Sequence, residues 1–222
     1  MKSIMTAVSP YLCEKIASGA CKILAKKSAP KEVPFKDYIY ATKATKRSHS
    51  GIILMGDELL WLSNGEVVMD AGFKFWVDGD ECQCLNERII GEFICNEVEE
   101  FHEWELSPQG KFADFERERL EKFLTDACLS EEEVVRYREN LPYYKPLYGW
   151  HISDLKIYDK PKELSEFRKP LDSVYCSYYR DYCEEGCVGF GSTDYVCNDY
   201  WEWEKGLTRP PRSWQYVEEA KR

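Results

Sequence analysis

The chain has 222 residues, is 44% hydrophobic and 14% aromatic, and carries a formal net charge of −10. That length fits one large domain or two small ones, and the apolar share excludes an intrinsically disordered chain. Its longest apolar runs, such as Ile52–Met55, reach only about five residues where a membrane span needs about 20, so no membrane partner is expected. The start, M-K-S-I-M, lacks the apolar core of a secretory leader, which predicts a cytoplasmic protein whose ten cysteines are thiols or metal ligands rather than disulfides. The charge is uneven. The first fifty residues hold ten Lys and Arg against three Asp and Glu, so a basic face is expected on an acidic body.

In chain order, Ser3–Val8 reads as a strand. Ser9 is a good N-cap and Pro10 suits a first helical position, so a short helix follows and Gly19 ends it. A strand then carries Lys22, Lys26 and Lys27, and a period of two puts Lys22, Leu24 and Lys26 on one side. Asp37–Thr42 alternates as a strand and runs into the basic segment Lys43, Lys46 and Arg47. Asn64-Gly65 and Asp78-Gly79 are hairpin signals, because both dipeptides suit a two-residue turn with positive φ. Ile89–Val98 is apolar enough for a central strand.

The stripe Phe112, Phe115, Leu120, Phe123, Leu124 and Ala127 predicts a helix. Ser130 with Glu133 is a capping box that opens a second helix, and Pro142 ends it. Leu147–Tyr158 returns to a strand, with Gly149 marking a bulge or a close backbone approach. Residues 171–206 are rich in Tyr, Cys, Gly and acids without a clean period, and Ser213–Val217 reads as a closing strand. Many short strands with a few helices predict an α+β fold built on a mixed barrel.

The ordered segments S-G-A-C-K-I-L-A-K-K, Y-I-Y-A-T-K, I-I-G-E-F-I-C, Y-G-W-H-I-S-D-L-K-I-Y and P-P-R-S-W-Q-Y-V resemble an ASCH domain, of the PUA-like superfamily. The resemblance covers residues 1 to about 167 and the last strand near 207–217. It implies an ASCH domain over 1–170, a Cys/Tyr-rich extension over 171–206, and a closing strand and tail over 207–222. It also implies a small β-barrel with flanking helices and a cleft between them, and RNA as the proposed ligand of most members. Some small members hydrolyse the acetyl amide of N4-acetylcytidine with a lysine after the helix-ending glycine, a threonine three residues later and a glutamate. Lys22 matches that lysine, the threonine position is Ala25, and Glu92 and Glu131–Glu133 are candidates for the acid.

The expected nucleic-acid-binding residues are Lys22, Lys26, Lys27, Thr42, Lys43, Lys46 and Arg47 for phosphates, with Trp150, His151 and Ser153 to stack on and read a base. Cys176, Cys183, Cys187 and Cys197 place four thiols within 22 residues of a segment poor in apolar side chains, which suggests a structural zinc. The first reading is therefore a module that binds RNA or a nucleotide by an unstacked base and its phosphate. The alternatives are an amidohydrolase of an N4-acylated cytidine, with Lys22 catalytic, and an adaptor that uses the acidic C-terminal segment.

Overall fold

A computed structural model describes residues 1–43, 50–55, 58–63, 74–77, 80–102, 114–138, 141–142, 145–170 and 206–220. The zinc candidates Cys176, Cys183, Cys187 and Cys197, the basic residues Lys46 and Arg47, and the Asn64-Gly65 turn lie outside them. The described elements make an α+β fold.

The largest sheet has five strands, in the order β11 (Ser153–Lys162), β8 (Ile89–Cys95), β3 (Phe35–Ala41), β1 (Lys2–Val8) and β13 (Trp214–Tyr216). Only β1 and β3 run parallel, and β13 returns from near the C-terminus to pair antiparallel with β1. A second sheet is antiparallel, with β10 (Leu147–His151) between β2 (Ile23–Lys26) and β9 (Val98–Phe101). A third carries β4 (Ser50–Met55), β5 (Glu58–Ser63), β6 (Lys74–Val77) and β7 (Asp80–Cys84), with β6 and β7 paired antiparallel; the predicted Asp78-Gly79 turn lies outside the described residues. The short strands β12 (Phe167–Arg168) and β14 (Glu218–Glu219) pair with each other. Among the described residues, no strand pairing closes these sheets into a ring.

The first two sheets share one core. Ile4, Val8, Phe35, Ile39 and Phe93 from the large sheet meet Leu24 and Trp150 from the small one. Each such side chain, once buried, stabilises the fold by roughly 1.5–3 kcal/mol against exposure. Ile52 and Leu85 join the same core, which docks the third sheet onto the body. The outer face of the large sheet buries Met5, Tyr38 and Tyr40 against Phe167, Leu207 and Val217.

The outer face of the small sheet is covered by helices. Ile23, Phe101 and Leu147 pack on Leu120, Phe123 and Ala127 around α2 (Asp114–Asp126) and on Val134 of α3 (Glu131–Arg138). The Ser130 capping box forms in both directions. Ser130 N–H donates to Glu133 Oε2 at 2.9 Å, and Glu133 N–H donates to Ser130 Oγ at 3.2 Å. At Gly149, β10 packs tightly against side chains of β2, β9 and α2. A Cβ there would meet Ile23 Cγ2 at 2.9 Å and Phe101 Cε2 at 3.1 Å. The predicted first helix is α1 (Pro10–Ala17), with Leu12 N–H donating to Ser9 Oγ at 3.4 Å and Gly19 at φ +73 just beyond it.

Candidate nucleic-acid interface

The end of β1, the strand β2 and the helix α3 bound a cleft of about 480 Å³. Each wall follows from a local signal. The extended chain leaves β1 at Val8 and turns into α1 at its Ser9 cap, so the positive end of the α1 dipole opens on the cleft. The capping box starts α3, whose second turn carries Arg136 and Tyr137 to the opposite wall.

The polar lining is Ser9, Lys26, Lys27, Glu133, Arg136 and Tyr137. Three cations thus face one carboxylate, on a chain whose net charge is −10. Apolar contact comes from Leu12, Leu24 and Leu129. The Lys27 ammonium lies over the Tyr137 ring, 4.6 Å from its centroid. Burial pushes the Tyr137 hydroxyl's pKa up, so the ring is a neutral phenol.

Lys26 is the unusual member. It is only 6% exposed, and its Nζ donates to the Ala7 carbonyl at 3.4 Å. Below it, on the core face of β3, lies fully buried Asp37. Neither Asp37 carboxylate oxygen has a hydrogen-bond partner of good geometry among the described residues, nor do the nearby Thr6 hydroxyl and the Trp150 indole N–H. Burial drives both charges toward neutrality: it lowers the Lys26 pKa and raises that of Asp37, opposed in part at Asp37 by the hydroxyl and N–H of Thr6 on the neighbouring strand and at both groups by their mutual attraction. Cys13, also in contact with this field, is pushed far up by burial.

The expected basic patch divides along β2. Lys26 and Lys27 line the cleft, but Lys22 precedes the first residue of the strand and lies about 13 Å away at its other end, at roughly 3.3 Å per residue. Its side chain is 70% exposed and faces Asp126 at 3.8 Å. Thr42 N–H donates to the Val8 carbonyl at the cleft wall, and Lys43 faces Glu87 at 3.8 Å.

Trp150, His151 and Ser153 do not line the cleft. Trp150 is fully buried, edge-on to Phe35 at 5.1 Å and to Trp214 at 5.8 Å, so both neighbours occupy the space a base would need. His151 points outward beside Ile23, with Nε2 2.7 Å from Glu99 Oε1. Ser153 Oγ donates to the Ile94 carbonyl at 2.7 Å. His151, Glu99 and Glu97 bring ligand atoms within 4.8 Å of one another. The Arg119 guanidinium, 3.6 Å from Glu99, already offsets that charge, so the group reads as an ion-pair network.

Arg136 and Tyr137 were not among the residues singled out from sequence. The signal that could have found them is the Arg-Tyr pair one turn after Glu133 in a helix whose start was legible.

No protein-family model matches the chain, and no curated protein matches it. Among solved structures, the chain is similar to the ASCH protein of Zymomonas mobilis, at 12% identity, with 97% of this chain and 87% of that one covered and a TM-score of 0.45. A serine-to-alanine mutant of the same Zymomonas protein is similar at the same identity and coverage, with a TM-score of 0.48. The N-terminal domain of Staphylothermus marinus McrB is similar at 12% identity over 72% of this chain and 76% of that one, with a TM-score of 0.35. The chain is thus similar to ASCH structures over nearly its whole length.

Proposed function

We propose that the cleft between β2 and α3 binds RNA or a nucleotide, holding one unstacked base and its phosphate. The observation that carries this reading is the concentration of Lys26, Lys27 and Arg136 around one concave site of a chain with net charge −10. Lysine and arginine supply charge and donors for phosphate oxygens, and the start of α1 adds its dipole. Tyr137 offers a ring for a base to stack on. The volume lies within the roughly 300–1,000 Å³ usual for small-ligand sites. The test is a fluorescence-anisotropy titration of a labelled single-stranded RNA. Replacing Lys27 and Arg136 together by Ala should weaken binding about tenfold or more, near 1.4 kcal/mol. Unchanged affinity would remove the cleft from the interface.

A second reading has one observation in its favour. Lys26, with an amine that burial brings nearer to neutrality, shares the cleft with Glu133. An amine and a carboxylate on the walls of one cleft can serve as base and acid in cleaving an N4-acyl amide of cytidine. In this version Lys26 takes the role that the family resemblance assigns to Lys22. Incubation with N4-acetylcytidine should then release cytidine and acetate, and Lys26→Ala should abolish it; no turnover at high protein concentration removes the hydrolase.

A structural role for zinc at Cys176, Cys183, Cys187 and Cys197 stays a proposal, which metal analysis of the purified protein decides. The adaptor reading of residues 171–206 is likewise tested by deleting that segment and measuring partner capture.

A further inference from the structure

On the outer face of the large sheet, one ammonium is surrounded by aromatic rings, none of which lines the cleft. The Lys162 Nζ lies 4.8 Å from the ring centroid of Tyr158, 5.7 Å from that of Phe167 and 5.9 Å from that of Tyr38. Each distance is within the roughly 6 Å over which the electron-rich face of a ring attracts a cation. Lys162 and Tyr158 come from β11, Tyr38 from β3 and Phe167 from β12, so the cage exists only in the folded chain.

A carboxylate completes the cage. Glu219, which sits opposite Phe167 where β14 pairs with β12, accepts from Lys162 Nζ at 2.9 Å and from the Tyr38 hydroxyl at 2.8 Å. Burial works against its charge, but those two hydrogen bonds hold the Glu219 carboxyl below its ordinary range. The Tyr158 hydroxyl donates to Glu92 Oε2 at 2.6 Å, and Tyr38 and Phe167 meet edge-on at 4.7 Å, both buried. Burial first, and then these carboxylates, push both phenols' pKa up, so the rings are neutral. All three rings are thus positioned by partners other than Lys162, whose own side chain is 28% exposed.

We propose that Tyr38, Tyr158, Phe167 and Glu219 form a binding site for a methylated ammonium group, which Lys162 fills in the free protein. The competition fixes the class of ligand. An ordinary lysine from a partner would gain only the contacts that Lys162 already makes, and Lys162 is tethered beside the site at an effective concentration in the millimolar range. A methylated ammonium keeps the positive charge but has fewer N–H groups for water to solvate, so it costs less to dehydrate, and its methyls lie against the ring faces. The Lys162 ammonium that it displaces returns to water, where such a compact charge is strongly hydrated. Glu219 then faces the incoming cation in place of Lys162.

The test titrates the full chain with tetramethylammonium, choline, trimethyllysine amide and unmethylated lysine amide, at an ionic strength held constant with sodium chloride. Binding is read by saturation-transfer NMR on the ligand protons. Tetramethylammonium should bind and lysine amide should not; binding of choline or of trimethyllysine amide, whichever is tighter, tells a small-molecule source from a peptide one. Lys162→Ala should bind tetramethylammonium about tenfold tighter than the wild-type chain, because a site open about a tenth of the time loses that factor. Added to Lys162→Ala, Tyr158→Leu should abolish the binding and Tyr158→Phe, which keeps the ring, should preserve it. No binding by Lys162→Ala, equal affinity in Lys162→Ala and the wild type, or equal binding of lysine and trimethyllysine amides would each overturn the proposal. Should Lys162→Ala not fold, Lys162→Thr, which suits a strand, takes its place.

Discussion

Lys26 and Asp37 show how a site residue can weaken the fold that holds it. Taking an ammonium and a carboxylate out of water costs several kcal/mol each, and their attraction returns only part of it. Replacing both, as Lys26→Met with Asp37→Asn, should leave urea-unfolding stability at neutral pH equal or raised by up to about 2 kcal/mol, and should weaken RNA binding. A loss of more than about 1 kcal/mol would mean that the pair stabilises. Asp37→Asn alone leaves the buried ammonium without its counter-charge, and should cost about 3 kcal/mol at pH 7. The sign of its pH dependence follows from Lys26. A lysine whose folded pKa lies below its unfolded one gives stability that is present at high pH and lost as pH falls through the folded value. The Asp37→Asn variant should therefore be more stable near pH 9 than near pH 7, and the reverse order would show that Lys26 is not the buried group responsible.

At the scale of elements, two glycines separate a packing constraint from a backbone one. At Gly91 on β8, a Cβ would lie 2.5 Å from the Lys156 carbonyl oxygen on the paired strand, and a backbone atom in a ladder cannot step aside. At Gly149, the nearest atoms are side-chain carbons of Ile23, Phe101 and Phe123, which can shift by a few tenths of an ångström. Gly149→Ala should cost about 1–3 kcal/mol, and Gly91→Ala more, measured by chemical denaturation. Equal costs would show that the β8–β11 ladder yields as readily as the core.

The elements themselves were largely legible, because their signals are local. Ser9, Pro10 and Gly19 frame α1, and Ser130 with Glu133 opens α3 through bonds between residues three apart. The site was less legible, because its walls meet only through the fold. The alternation placed Leu24 and Lys26 on one face, and both are buried there. It extended that face to Lys22, but the strand begins at Ile23 and the alternation does not reach back past it. Trp150 pairs with Leu24 across the ladder, so it shares the inward face of Leu24, and nothing in its own neighbourhood of sequence reveals this. Arg136 and Tyr137 reach the cleft from more than a hundred residues away, by packing of α3 over the small sheet.

For the whole molecule, the chain is acidic overall, and among the described residues three of its cations, Lys26, Lys27 and Arg136, line one concavity. Long-range repulsion should keep nonspecific polyanions weak, while a strand that threads the cleft meets three cations at short range. Such binding releases counterions, so the logarithm of the affinity for single-stranded RNA should fall linearly with the logarithm of salt, with a slope of about −0.7 per phosphate neutralised. The most direct measurement is that slope in the wild-type chain and in Lys27→Ala with Arg136→Ala. The cleft account predicts a line less steep by about 1.4 in the double variant, the share of two phosphate contacts. Identical slopes and affinities in the two proteins would contradict it, and would send the search for an RNA surface elsewhere on the molecule.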